Sequence, residues 1–304
     1  METNYHKPVL LKETVDGLAI KPDGIYVDVT YGGGGHSREI LSRLGAGGKL
    51  YAFDQDPDAQ ANVVDDPRLT LIPENFRYIS RFLRFYKVTK VDGILADFGV
   101  SSHQFDEASR GFSTRTEGVL DMRMNKRSEL SARDVVNNYS EEDLASVLYQ
   151  YGDLKNSRRI ARVIVSARSD RAIETTEDLK AVLKPFLKGF RDQKFLAQLY
   201  QAIRIEVNQE LQVIKEFLLQ VPDLLSEGGR LSVLSYHSLE DRLVKRYIQH
   251  GKFEGEAEKD VFGRVAVPLK KVGKLIVPSQ EEIELNNRAR SAKLRIAERI
   301  TNEN

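Results

Sequence analysis

At 304 residues, with 41% hydrophobic and 30% charged side chains and a net charge of +1, the chain has room for one large domain or two ordinary ones. It contains no cysteine, which excludes disulfides, thiolate-bound zinc and iron–sulfur clusters. It also excludes thiol attack on a pyrimidine ring. No apolar run approaches the ~18 residues of a membrane span, and residues 1–18 lack the basic start and long apolar core of a secretory signal; a cytoplasmic protein is expected.

The first hundred residues alternate between strand and helix patterns. Ile25–Thr30 reads as a strand, followed by Gly32-Gly-Gly-Gly35 and a helix over His36–Leu44. Strands are expected at Lys49–Phe53, Leu69–Ile72 and Val91–Ala96, with helical segments at Pro57–Val64 and Tyr78–Phe85 between them. This order predicts an α/β protein with a parallel, doubly wound, Rossmann-like sheet. The alternation stops after Asp97. Residues 106–205 read as a mainly helical insertion domain after the fourth strand, with 1–105 and 206–304 together forming the sheet domain. Within the insertion, residues 125–136 look polar and turn-rich. Helices are expected from Ser140, over Asn156–Ala167, from Thr175 and over Phe195–Val207. The α/β pattern then resumes with a helix over Asn208–Leu225, a strand at Arg230–Ser235 and a helix capped by Ser238. Strand-like alternation follows at Phe262–Val267 and Ser291–Ile296.

Charge is uneven. The insertion carries 18 basic against 15 acidic residues, and residues 242–304 carry 14 against 9. Residues 155–171 hold Lys155, Arg158, Arg159, Arg162, Arg168 and Arg171 against Asp170 alone, and Arg288, Arg290, Lys293 and Arg295 cluster near the C-terminus. Such patches suit a polyanion, although most charged runs are solvated helix faces.

A strand, a glycine turn and a helix start let a nucleotide-like ligand meet backbone N–H groups at the sheet's C-terminal edge. Asp54 closes the second strand, where an acid can accept ribose hydroxyls; a helix cap is the plainer reading. Both NAD and S-adenosylmethionine would fit. The missing Gly-x-Gly-x-x-Gly spacing and the acid Asp28 before the glycines favour a sulfonium over a pyrophosphate. Asp97 closes the fourth strand and is the candidate catalytic group, able to accept an N–H from an exocyclic amine. His237, after the fifth strand, is either a substrate contact or a packing residue. With no cysteine and no His-x-x-x-His pair, a metal centre is not expected.

The chain resembles the MraW family of S-adenosylmethionine-dependent methyltransferases. The resemblance rests on His6-Lys-Pro-Val-Leu-Leu11, the glycine loop through Ser37, Asp54-Gln-Asp56, Asp97-Phe-Gly-Val-Ser-Ser102, Arg110-Gly-Phe-Ser113 and Leu120-Asp-Met-Arg-Met124. It continues in Arg204-Ile-Glu-Val-Asn208, Ser235-Tyr-His-Ser-Leu-Glu-Asp-Arg242 and Arg288-Ala-Arg-Ser-Ala-Lys-Leu-Arg295. It departs at His103 and Phe105, where proline and leucine are usual. The resemblance implies methylation of N4 of a cytidine in the decoding region of 16S rRNA, with the small ribosomal subunit as partner and no membrane or metal. It implies cofactor contacts from Gly34, Gly35, His36, Asp54, Phe76, Asp97 and Gln104. Ser101, Ser102, Arg123 and His237 would line the target pocket, and Arg159 and Arg162 would grip RNA. Direct transfer to an amine needs no cysteine adduct, in keeping with the composition. A non-catalytic ribosome-assembly factor that binds RNA, or a methyltransferase acting on another substrate, is the alternative.

Overall fold

The computed structural model describes residues 8–255 and 267–300. Its seven-stranded sheet comprises β1 (Ile25–Asp28), β2 (Lys49–Phe53), β3 (Leu69–Ile72), β4 (Val91–Asp97), β5 (Leu225–Ser235), β6 (Leu269–Ile276) and β7 (Lys293–Arg299). The strand order is β3-β2-β1-β4-β5-β7-β6. β1 to β5 are parallel, and β7 runs antiparallel between β5 and β6. Strand order therefore reverses between β1 and β4, the place where ligands enter doubly wound sheets.

The central strands are apolar on both faces because helices cover both. Val27, Ile94 and Ala96 pack with Phe217, Leu218 and Val221 of the helix Glu210–Leu224. Their neighbours Tyr26 and Leu95 turn the other way and pack with Val15, Ile40 and Leu41. Each such side chain contributes about 1.5–3 kcal/mol of burial, so the alternation fixes which face each edge residue uses.

Two units are distinguished: residues up to Gly99 with those from Leu211 onward, and Val100–Glu210. The second is built from the helices Ala132–Asn138, Glu141–Gly152, Ser157–Asp170, Thr176–Leu183 and Asp192–Asn208. Leu144, Leu148, Ile160, Ile164, Leu179, Leu199 and Ile203 form its own core.

Several local expectations change. The helix Ala132–Asn138 falls in the stretch read as turns, because Ser131 and Asp134 form a capping box and Ala132, Val135 and Val136 are buried. The helix expected from Asn208 is broken at Gln209, which caps the preceding helix at φ 51° and lets a new one begin at Glu210. His237, not Ser238, caps the helix Ser238–His250. The expectation for Phe262–Val267 falls, except for Val267, outside the described residues. β6 was not anticipated: it is an edge strand carrying Lys270, Lys271 and Lys274, so it lacks a buried apolar row.

Candidate functional site

β1 ends in Asp28, and the chain turns through Gly32 (φ 51°) and Gly34 (φ 74°) into the helix Gly35–Arg43. Both angles lie in the left-handed region that glycine alone enters without strain. Gly35 is required for space: a Cβ there would lie 2.1 Å from Cγ of Pro8. The N-terminal segment thus lies directly against the glycine turn, and the carbonyl of Val9 sits 3.3 Å from Nε2 of His36.

Asp28 does not play the part expected of it. It is fully buried; Oδ1 accepts from the Thr30 backbone N–H at 3.0 Å and Oδ2 from the Ser37 hydroxyl at 2.7 Å. It pins the turn to the helix start. Burial raises its pKa and lowers that of His36, which is also buried.

Asp54 follows β2. Its Oδ2 accepts from Gly32 N–H at 2.7 Å and its Oδ1 from Asp56 N–H at 2.8 Å, so the acid ties the end of β2 to the glycine turn. Each carboxylate oxygen keeps a lone pair beyond the backbone bond it accepts, the arrangement a vicinal diol can use. Burial pushes its pKa up to about 6, against the pull of the two backbone donors. The capping role falls to Asp56, which accepts from Asp58 N–H.

Asp97 closes β4. Its backbone N–H donates to Oγ1 of Thr30 at 2.7 Å, its Oδ1 accepts from the hydroxyl of Tyr236 at 2.8 Å, and its Oδ2 lies 3.6 Å from Nδ1 of His36. The side chain keeps 24% of its surface exposed, yet burial pushes its pKa up to about 7, with Glu240 adding to the rise. The glycine turn after β1 and the acid that ends β4 therefore lie close together at His36. Phe76 stacks on Phe98 at 5.9 Å and 26° and meets Phe217 edge-on at 5.4 Å, a half-buried ring beyond β3.

Tyr236 and Thr30 are contacts that sequence reasoning missed. Tyr236 sits one residue beyond β5, beside β4 in the sheet, and only the strand order revealed in three dimensions points its hydroxyl at Asp97. His237 faces Glu240 with both ring nitrogens: Nδ1 accepts from Glu240 N–H at 3.4 Å, and Nε2 lies 3.1 Å from Oε1. Its visible role is to cap the helix.

The remaining candidates lie in the helical unit. Ser101 caps the short helix Ser102–Asp106, and the side chain of the buried Gln104 completes the capping box by accepting from Ser101 N–H at 3.0 Å. Arg123 makes a two-point pair with Asp121 (2.9 and 2.8 Å) and donates to the Ser128 carbonyl at 2.7 Å. Asn208 donates to the Met122 carbonyl at 2.7 Å and accepts from Met124 N–H at 2.7 Å, which brings two distant sequence blocks together. Arg162 pairs with Glu141 at 3.3 Å, and the Arg159 guanidinium lies over Phe186 at 5.5 Å.

The basic runs are less uniform than the sequence suggests. Arg168 is spent on the carbonyls of Val136 and Tyr139, and Lys293 and Arg295 are bound to Asp241.

A family model described as the MraW methylase family matches residues 3–300. The chain is similar to a protein named ribosomal RNA small subunit methyltransferase H from Christiangramia forsetii, 65% identical over 296 residues, covering 97% of this chain and 98% of that one. A protein of the same name from Flavobacterium johnsoniae is 64% identical with the same coverage. Another, from Bacteroides fragilis, is 56% identical over 299 residues, 98% of each chain.

Proposed function

Because the chain belongs to the MraW methylase family, we propose that it transfers a methyl group from S-adenosylmethionine to the exocyclic N4 amine of a cytidine in the decoding region of 16S rRNA. The observation that carries this reading is the meeting of two loops: the glycine turn after β1 and Asp97 after β4, with 3.6 Å between His36 Nδ1 and Asp97 Oδ2. The residues fit the donor. Gly34, Gly35 and His36 form a turn that admits a ligand against backbone. Asp54 has lone pairs for a ribose diol, Phe76 offers a ring to an adenine, and Gln104 adds a polar contact. Asp97 and Asp54 supply negative charge to a ligand bearing a sulfonium and an ammonium.

The sulfonium supplies an electrophilic methyl carbon. The amine nitrogen of cytosine is conjugated with the ring, so its lone pair must be freed as it attacks. A carboxylate accepting one N–H helps to free it. The donor, held by the glycine turn, Asp54 and Phe76, would supply the methyl group and take the C–S electron pair onto its sulfur as the N–C bond forms. The nitrogen then sheds a proton, which Asp97 can hold because burial has raised its affinity for one. Tyr236 fixes Oδ1 and leaves Oδ2 for that task. Ser101, Ser102 and His237 are the further proposed contacts to the base. Arg123, whose guanidinium keeps N–H groups beyond those given to Asp121 and Ser128, joins them.

A cytidine in folded RNA must be splayed out to reach such a site. The helical unit is proposed to recognise the substrate, with Arg159 and Arg162 holding the RNA backbone. High homologue identity in proteins named for the small subunit's RNA supports the partner. The test is mass spectrometry of 16S rRNA from cells with and without the gene, together with transfer of labelled methyl to small subunits by the purified chain. An unchanged level of N4-methylated cytidine would refute the activity. Label appearing in protein and not in RNA would move the reading to another substrate.

A further inference from the structure

The helical unit carries an aromatic side chain that packs on nothing among the described residues. Phe190 is fully exposed (104%), at the tip of the turn between Lys184–Phe186 and the helix Asp192–Asn208. The tip is nevertheless built. The Asp192 carboxylate accepts from the N–H groups of Lys188 at 2.7 Å and Gly189 at 2.9 Å, and Asp192 N–H donates back to the Gly189 carbonyl at 2.9 Å. Gly189 turns at φ 111° with no atom within 4 Å of its missing Cβ, so the loop is held at its root and stands clear on this side.

The surroundings are basic and aromatic together. Lys184, Lys188, Arg191 and Lys194 are all exposed within this short stretch, and its one acid, Asp192, is committed to the backbone. Beneath the loop Phe186 stacks on Phe195 at 5.9 Å and 21°, and the exposed Arg159 lies over Phe186 at 5.5 Å. The basic face of the helix Ser157–Asp170 therefore continues into the loop through the Arg159–Phe186 contact.

We infer that this loop is a stacking site for an unpaired base of single-stranded RNA, with Phe190 as the platform and the flanking lysines and arginines on the adjacent phosphates. The inference rests on RNA being the substrate and names how one part of it is held. An exposed phenyl ring among cations matches a chain that alternates flat rings with negative charges. A second copy of this surface would bring like charges together, which disfavours self-association. A-form duplex keeps its bases stacked and its deep groove closed, so a protruding ring finds a partner only where bases are unpaired.

The test is fluorescence anisotropy of the full chain with a labelled single-stranded RNA of about 12 nucleotides, a length in the range such surfaces cover, and with the same strand in duplex. Phe190→Ala should weaken single-strand binding roughly 5- to 150-fold, the span that the loss of one stacked base implies. Its duplex binding should be unchanged, and Phe190→Trp should restore the single strand. Lys188→Ala with Arg191→Ala should reduce the salt slope of single-strand binding by about 1.4, or ~0.7 for each lost phosphate contact. Single-strand affinity equal to the parent's in Phe190→Ala would overturn the inference. So would equal losses on both probes, or a parent dimer that Phe190→Ala dissociates while RNA affinity stays the same.

Methyl transfer to small subunits is measured on the same proteins. A parent that binds single strands through Phe190 but methylates no rRNA would overturn the proposed activity and uphold the stacking site. A parent that methylates rRNA while Phe190→Ala binds like it would overturn the stacking site alone.

Discussion

The hydroxyl of Tyr236 donates to Oδ1 of Asp97 at 2.8 Å, joining the residue after β5 to the last residue of β4. The bond stabilises the ionised carboxylate, against a burial that favours the protonated one. Tyr236 is thus a positioning residue: it sets which oxygen of Asp97 faces His36 and how readily that acid takes a proton.

Tyr236→Phe keeps the ring and removes the donor. A lost hydrogen bond to a charged group of about 1.5 kcal/mol should raise the Asp97 pKa by roughly 1 unit. The acidic limb of the kcat–pH profile for methyl transfer should move up by that amount, with little change in donor affinity at pH 8.5. A lower kcat with an unmoved limb would make Tyr236 merely structural.

Ligand-free stability should carry the mark of two raised carboxyls. Asp54 is pushed up to about 6 and Asp97 to about 7, both by burial, from an unfolded value of about 3.9. A raised carboxyl contributes stability that is fully present below its unfolded pKa and is lost as pH rises through its folded one. The parent should therefore lose stability relative to Asp54→Asn/Asp97→Asn between pH 4 and pH 7, and no further above that. Thermal midpoints measured in parallel across this range check it; parallel curves would contradict the shifts.

Asp54→Ala removes the proposed ribose acceptor and the tie to Gly32 N–H together. Methyl-donor affinity by calorimetry should fall at least tenfold, about 1.4 kcal/mol. In the parent, affinity should also decline as pH falls through 7 to 6, as the acids lose their charge. Undiminished binding in the variant would remove Asp54 from the donor site.

Gly35→Ala would press a methyl group into Pro8, whose Cγ stands 2.1 Å from where that carbon must lie. The segment carrying Pro8 and Val9 should be displaced and donor binding weakened. Adding Pro8→Gly opens the space, so the double variant should regain most of the affinity. Failure of that rescue would mean that the glycine is needed for the turn itself.

Asn208→Ala should destabilise the helical unit by about 2–4 kcal/mol, because it leaves the Met122 carbonyl and the Met124 N–H without their side-chain partner. Met122 already sits at φ 55°, a conformation the asparagine helps to hold. Urea denaturation followed by circular dichroism is the measurement, and a loss below 0.5 kcal/mol would contradict the clamp.

The parallel sheet was legible because β1 to β4 are short apolar runs separated by helices, each ending in a glycine turn, a polar residue or an acid. The acids at Asp54 and Asp97 could be found from sequence because strand ends mark themselves. What their oxygens do could not: Asp28 resembles a ligand contact in sequence, yet both its oxygens are used inside the turn. The long-range partners were also hidden. Tyr236 reaches Asp97 only because β5 lies beside β4, and Asn208 reaches Met122 and Met124 from more than eighty residues away. The basic runs read alike as letters, but Arg168, Lys293 and Arg295 are internal ties while Arg158 and Arg159 face solvent.

The pairing of β4 with β5, Val91 against Leu225 at one end and Asp97 against Leu234 at the other, has a consequence for the chain as it is made. Everything from Val100 to Glu210 must leave the ribosome before β5 can occupy that edge. At ~5–20 residues per second this takes on the order of ten seconds. Throughout, β4 offers an unpaired edge whose side chains, Ile94, Leu95 and Ala96 among them, are fully buried in the finished sheet. The helical unit, rich in local contacts, can fold within that interval, whereas the nascent sheet is left with its stickiest strand open. Aggregation during synthesis should therefore begin at β4, and conditions that speed elongation through the insertion should suppress it.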